Sequence, residues 1–197
     1  MILRNGHLSD LPYLYEICHQ TGYLGGDASD QVSDRLLLGH YFAAPYVVHD
    51  PTWCWVAGDE LGPVGYLVTT PDSRTFAGWM NNSWLPAIRR LSPQRSAPGW
   101  SSFESWLRNL VHEPAGFPDF VEDYPAHLHI DFLPRAQGQG LGTRALNLFL
   151  TQARQAKVAG FHLGVAAENS KAQAFYSSRG FEILREAPGV LYFGLKL

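Results

Sequence analysis

Residues 127–143 read His-Leu-His-Ile-Asp-Phe-Leu-Pro-Arg-Ala-Gln-Gly-Gln-Gly-Leu-Gly-Thr. Leu128, Ile130 and Phe132 alternate with His127, His129 and Asp131. A period of two puts the two sets on opposite faces of a strand. Pro134 ends the pairing. Gln137, Gly138, Gln139, Gly140, Leu141 and Gly142 then form a glycine-rich turn, and from Thr143 onward Leu146, Phe149, Leu150, Ala153 and Val158 fall at helical spacing. A strand, a glycine turn and a helix start make an anion site. The first N–H groups of a helix lack intrahelical partners and sit at the positive end of its dipole. Three glycines let a phosphate approach the backbone. We expect a pyrophosphate across residues 137–143.

The spacing narrows which pyrophosphate. It is Gly-x-Gly-x-Gly followed by Thr143, so the dinucleotide pattern Gly-x-Gly-x-x-Gly fails. No Gly-Lys-Ser/Thr is present for a nucleoside triphosphate loop. What remains is Gln-x-x-Gly-x-Gly on Gln137, Gly140 and Gly142, which resembles the acetyl-coenzyme A loop of the GNAT superfamily of N-acetyltransferases. A second run agrees. Asn169-Ser-Lys-Ala172-Gln-Ala-Phe175-Tyr176, followed by Arg179-Gly180-Phe181, resembles that family's Asn-x-x-Ala-x-x-Phe-Tyr…Gly-Phe and stands about thirty residues later, where the family has it.

The resemblance implies a mixed, mostly antiparallel α/β sheet with helices on both faces. It implies acetyl-CoA as cofactor and an amine as acceptor. It assigns to the cofactor the backbone of Phe132 and Leu133, where β-strands four and five of the family splay apart, the loop 137–143, and Asn169, Ala172, Phe175 and Tyr176. Tyr176 matches the family's tyrosine at the thiol, where it would protonate the departing thiolate. For the base, His127, His129 and Asp131 share one strand face. A narrower set (Tyr15 to Cys18, Thr21-Gly22, Asp34 to Leu36, Tyr124-Pro125 and Asp131) is similar to the acetyltransferase-like domain of O-GlcNAcase and its bacterial relatives.

The remaining chain is read by pattern. Residues 2–4 suggest a first strand, and Ser9 or Asp10 caps a helix running to about residue 20, with Pro12 in its first turn. A second helix is expected over about 30–41. Asp27, in the loop between them, either contacts the acceptor or caps that second helix. Residues 53–57 and 64–70 suggest a hairpin, with a bulge because the turn is long. The segment 71–125 holds four of the six tryptophans and seven of the thirteen prolines. It reads as an insertion with helices at 76–91, interrupted at Pro86, and at 102–112, and loops at 93–99 and 114–118. Its aromatics, Trp79 and Trp84 among them, either line an acceptor pocket or build a satellite core. Gly160 is expected to end the long helix. Strand 161–166, helix 171–178 closed by Gly180, and strands 182–185 and 191–197 joined by Pro188-Gly189 complete the order.

Composition sets limits. A chain of 197 residues with 46% hydrophobic and 17% charged residues fits one globular domain, 1–197. A net charge of −3 offers no basic field for nucleic acid. No apolar run is long enough to span a membrane and no signal peptide is evident. Cys18 and Cys54 read as buried free thiols, so a cytoplasmic enzyme is expected, and no metal spacing is found. A partner copy is possible from sequence alone. The reading is an acetyl-CoA-dependent N-acetyltransferase acting on a primary amine of a small molecule or a protein. A silent cofactor-binding or interaction module is the alternative from another class, and a dinucleotide oxidoreductase is the third.

Overall fold

The computed structural model describes residues 1–92 and 99–197. The loop expected at 93–99 lies mostly outside them. One sheet of seven strands organises the molecule: β1 (Ile2–Asn5), β2 (Cys54–Asp59), β3 (Gly62–Thr70), β4 (Ala126–Phe132), β5 (Gly160–Ala166), β7 (Val190–Lys196) and β6 (Glu182–Ala187), in that spatial order. Only β4 and β5 run parallel; the other neighbours are antiparallel. The expected mixed α/β architecture is what the chain adopts.

Each strand's alternation feeds two apolar layers. Tyr66 and Val68 of β3 join Leu14, Ile17 and Cys18 of α1 (Leu11–Thr21) on one face. Val64 and Leu67 of β3 join Leu128 and Phe132 of β4 on the other. There α7 (Leu141–Gln155) presses Leu141, Ala145, Leu146, Phe149 and Ala153 onto the sheet. Each Leu or Phe so buried contributes about 1.5–3 kcal/mol. The 71–125 segment packs as core on the first face. Phe76 of α4 (Ser73–Trp79), Leu85 and Ile88 of α5 (Leu85–Leu91), and Leu107 and Val111 of α6 (Ser102–His112) belong to the same apolar layer as α1.

Four local expectations are corrected. Residues 30–36 do not form a helix. The Ser33 N–H and hydroxyl go to Glu104 of α6 at 2.8 Å, and the Gln31 carbonyl accepts from Ser101 at 2.6 Å, so tertiary partners replace the helical ladder. The helices there are α2 (Leu37–Phe42) and α3 (Ala44–His49). Asp10 occupies the N-cap position of α1, but its side chain makes no capping bond to that helix. The Asp10 carboxylate instead takes the His7 N–H and the Arg4 guanidinium, around a 3-10 turn at Leu8–Asp10. The break before α5 is a π-helical turn, Met80–Trp84, ahead of Pro86. Gly160 does not end α7. Lys157 takes the left-handed conformation there (φ 57°), and Gly160 starts β5, where a Cβ would meet the Leu195 carbonyl at 3.0 Å. The expected bulge is present, at Ala57/Gly58.

Candidate functional site

The glycine loop forms an open cradle. Gly138 and Gly140 both sit at φ +72°, and a Cβ on either would meet nothing within 4 Å. Gly140 is the N-cap of α7 and supplies no side-chain cap. The first intrahelical bond runs from the Arg144 N–H to the Gly140 carbonyl, which leaves the N–H groups of Leu141, Gly142 and Thr143 free of intrahelical carbonyls. Gly142 serves contact instead, since a Cβ there would touch Phe175 at 3.4 Å and Phe132 at 3.7 Å. The Gln139 side chain donates to the Arg135 carbonyl, and Gln137 donates to the Phe132 carbonyl at 2.8 Å while accepting from Lys171 at 2.5 Å. Across the helix start, Arg179 donates to the Thr143 hydroxyl and to the Phe175 carbonyl, and its guanidinium lies 3.7 Å over the Phe175 ring. Helix-start amides without intrahelical partners, with Lys171 bonded to Gln137 and Arg179 to Thr143 of the same loop, suit the charge of a pyrophosphate.

Beside the cradle the sheet opens. The paired residues of β4 and β5 are Ala126 with Phe161 and His127 with His162, and the strands part beyond them. The Leu133 N–H is held by the Val64 carbonyl at 2.9 Å. Alternation then turns the backbone of Ile130 and Phe132 toward the gap. Of the two residues whose backbone the resemblance assigns to the cofactor, Phe132 is turned to the gap, while the Leu133 N–H is turned to β3. On the far wall α8 (Ser170–Ser177) is started by Asn169, whose side chain accepts from the Ala172 N–H at 3.0 Å. That cap starts the helix that carries Tyr176 and brings Phe175 against Gly142. The Tyr176 ring packs on Phe175, Phe181 and Phe193. Among the described residues its hydroxyl has no hydrogen-bond partner, and it is not one of the sealed, unpartnered atoms, which are His19 Nδ1 and Arg179 Nε. The oxygen is therefore not fully sealed, although the residue as a whole is buried. Burial holds its pKa well above the usual phenol value, so it stays protonated.

Asp131 stands on the α1 face of β4. It accepts from the Tyr66 hydroxyl at 2.7 Å. Burial pushes its carboxyl up to about 6, against the pull of that hydroxyl. The two histidines of the same face are tied together. His127 Nε2 lies 2.7 Å from the Tyr46 hydroxyl and its Nδ1 2.7 Å from the Ser73 hydroxyl, so it presents no free nitrogen. His129 Nε2 lies 3.1 Å from Tyr46. Burial pushes His129 down to about 4 and His127 well below its usual value, and neighbouring histidines add to both shifts. Both rings are neutral at pH 7.

The expected acceptor residues are less central. Asp27 is exposed and accepts from the Ser29 N–H and hydroxyl; it caps that turn and not α2. Trp79 and Trp84 stack on each other, and the Trp84 indole donates to the His40 carbonyl at 2.8 Å. They join the insertion to α2 and α3 as packing. The aromatics next to the histidines are Phe42, edge-on to His129 at 5.3 Å, and half-exposed Trp106, stacked on Phe42. Sequence reading missed Phe42, Tyr46, Tyr66 and Ser73. Only the inward phase of Tyr66 on its strand hinted at any of them.

A parted pair of strands beside a glycine-capped helix start is the arrangement that the sequence resemblance implies. The profile of the acetyltransferase (GNAT) family matches residues 30–181, and the chain belongs to that family. The crystal structure of SsHAT superposes with a TM-score of 0.91 at 32% identity, covering 99% of this chain and 97% of that one. A ribosomal-protein-alanine N-acetyltransferase from Brucella melitensis matches at TM-score 0.56 and 18% identity over all of both chains. PaiA N-acetyltransferase from Thermoplasma acidophilum, solved in complex with coenzyme A, matches at 0.61 and 10% identity, covering 100% of this chain and 98% of that one. These last two share the fold.

Proposed function

We propose that the chain is an acetyl-CoA-dependent N-acetyltransferase that acetylates a primary amine of a small molecule or a protein. The observation that carries this is the open seam between β4 and β5, bounded by the uncapped start of α7 and by the free Tyr176 hydroxyl. The cofactor, when bound, supplies a thioester whose carbonyl is open to attack. The amides of residues 141–143, with Lys171 and Arg179 nearby, would hold its pyrophosphate. The Phe132 N–H would receive charge developing on the carbonyl oxygen. Tyr176 would give its proton to the departing thiolate. The phenol's raised pKa makes that transfer uphill, so Tyr176 helps only in step with C–S cleavage. Asp131 would attract the amine, and the histidine face would receive its proton.

Several finer readings belong to the same proposal. The insertion shares one apolar layer with α1, which supports reading 1–197 as one domain. Two buried free thiols suit a cytoplasmic setting, and no helix among the described residues is long and apolar enough to cross a membrane. The narrower kinship with O-GlcNAcase-type acetyltransferase domains rests on the residues quoted from sequence, Asp131 foremost.

The test is calorimetric titration with acetyl-CoA, with NADH as control, followed by an acetylation screen over an amine panel. Binding of acetyl-CoA alone and turnover on at least one amine are expected. Tyr176→Phe should lower kcat and leave acetyl-CoA affinity intact. Binding without turnover on any amine would favour the silent module, and absence of binding would overturn the proposal.

A further inference from the structure

The histidine face contains a hydrogen-bond chain whose direction can be read. The Ser73 hydroxyl lies 2.6 Å from the Pro125 carbonyl and 2.7 Å from His127 Nδ1. A carbonyl only accepts, so the single hydroxyl proton goes to Pro125 and the Ser73 oxygen must receive Nδ1–H from His127. A neutral His127 carrying its proton on Nδ1 has a bare Nε2. That nitrogen takes the Tyr46 proton at 2.7 Å. The Tyr46 oxygen can then only accept from His129 Nε2, 3.1 Å away. His129 is thereby left with a proton on Nε2 and a bare Nδ1. Among the described residues that Nδ1 has no partner and is not one of the sealed, unpartnered atoms. Phe42 lies edge-on to the His129 ring at 5.3 Å, and half-exposed Trp106 stacks on Phe42.

We infer that His129, through Nδ1, takes the acceptor amine's proton, and that Ser73, His127 and Tyr46 are positioning residues that fix its tautomer. The inference rests on the acetyltransferase reading. The acceptor's ammonium proton is first lost to water, and the neutral amine nitrogen then forms the new C–N bond as the thioester C–S bond breaks. One amine proton passes to His129 Nδ1, and the thiolate leaves with the Tyr176 proton. Loss of a proton from His129 to water and gain of one by Tyr176 from water restore both residues. The anchor is a backbone carbonyl, which cannot change its role, so the chain points one way.

Which ring nitrogen bears the proton is measured by long-range proton–nitrogen NMR correlation on the 15N-labelled full chain, with no cofactor or acceptor needed. A bare Nδ1 on His129 and a bare Nε2 on His127 are expected. Ser73→Ala should blur both into tautomer mixtures and lower kcat by about tenfold with the KM for acetyl-CoA unchanged. His129→Gln should lower kcat by about 100-fold. A proton on His129 Nδ1 in the native chain overturns the inference even if neither variant folds; so does an unaltered kcat in both variants. Absence of acetyl-CoA binding in calorimetry would instead bring down the acetyltransferase reading on which it stands. Binding and turnover with the opposite tautomer would bring down this inference alone.

Discussion

Tyr66 and Asp131 stand directly opposite each other in the β3–β4 register, and the Tyr66 hydroxyl donates to the Asp131 carboxylate at 2.7 Å. One hydrogen bond does not offset the burial of this charge, since the carboxyl is still pushed up to about 6. A folded pKa raised above the unfolded carboxylate value means that the native state binds the proton more tightly. The stabilising effect of that proton is complete below about pH 4 and is lost as pH rises through 6. Above pH 6 the charge costs roughly 3 kcal/mol, about two units at 1.36 kcal/mol each.

Asp131→Asn removes that charge and leaves Tyr66 an oxygen to donate to. The variant is expected to be more stable than the native chain at pH 7 by up to about 3 kcal/mol, with the advantage shrinking toward pH 4. Acetylation should fall by about tenfold or more. Denaturant melts from pH 4 to 8 check the first part. An unchanged or lower midpoint at pH 7 would show that the buried carboxylate is not a liability.

The histidines act in the opposite direction. His129, held down at about 4, contributes stability that is present above pH 6.5 and lost as pH falls toward 4, because the unfolded chain takes up the proton first. The loss from His129 approaches 3 kcal/mol at the acid end. A thermal midpoint that drops steeply between pH 6.5 and 4, with a weaker drop in His129→Gln, is the expected result. Parallel curves for the two proteins would rule this out.

At the cradle, Gly140→Ala separates fold from binding. Its Cβ meets no neighbour, so the stability loss is limited to the left-handed backbone, about 1–2 kcal/mol. The same methyl enters the space over the α7 amides. Acetyl-CoA affinity should fall about tenfold or more by calorimetry. Native affinity in a folded variant would remove the loop from the cofactor site.

Gly65→Ala tests the wall of the seam from behind. A Cβ at Gly65 would lie 2.1 Å from the Phe132 ring and 2.7 Å from the Asp131 carbonyl. Backbone cannot swing aside as a side chain can, so we expect a loss of about 1–3 kcal/mol in stability. Displacement of Phe132 should also weaken acetyl-CoA binding. A variant with native melting behaviour would mean that β3 and β4 are looser than they stand here.

Much of this was legible along the chain, and the exceptions share one cause. The alternation from Leu128 to Phe132 and the Asn169 to Tyr176 run specify strand and helix locally, because burial pattern and capping lie within a few residues. The 30–41 region misled because the partner that captures Ser33, Glu104, comes from α6 and leaves no local mark. Gly160 looked like a helix stop, but its role is the close approach of Leu195 and Asp123, residues distant in sequence. Trp79 and Trp84 drew attention by type, while Tyr46 and Ser73 were single ordinary residues whose meaning appears only where α3, α4 and β4 meet. The direction of the Ser73–His127–Tyr46–His129 chain depends on which way one hydroxyl turns, and no periodicity encodes that.

The early parting of β4 and β5 also sets a pattern of amide hydrogen exchange. Backbone amides deep in the ladders of β2, β3 and β7 should exchange only on global opening. Those of Ile130 and Phe132, in the middle of the same sheet, should behave as edge amides and lose protection quickly. Occupation of the seam should slow them selectively, so that two residues at the centre of the sheet report binding while the core around them stays silent.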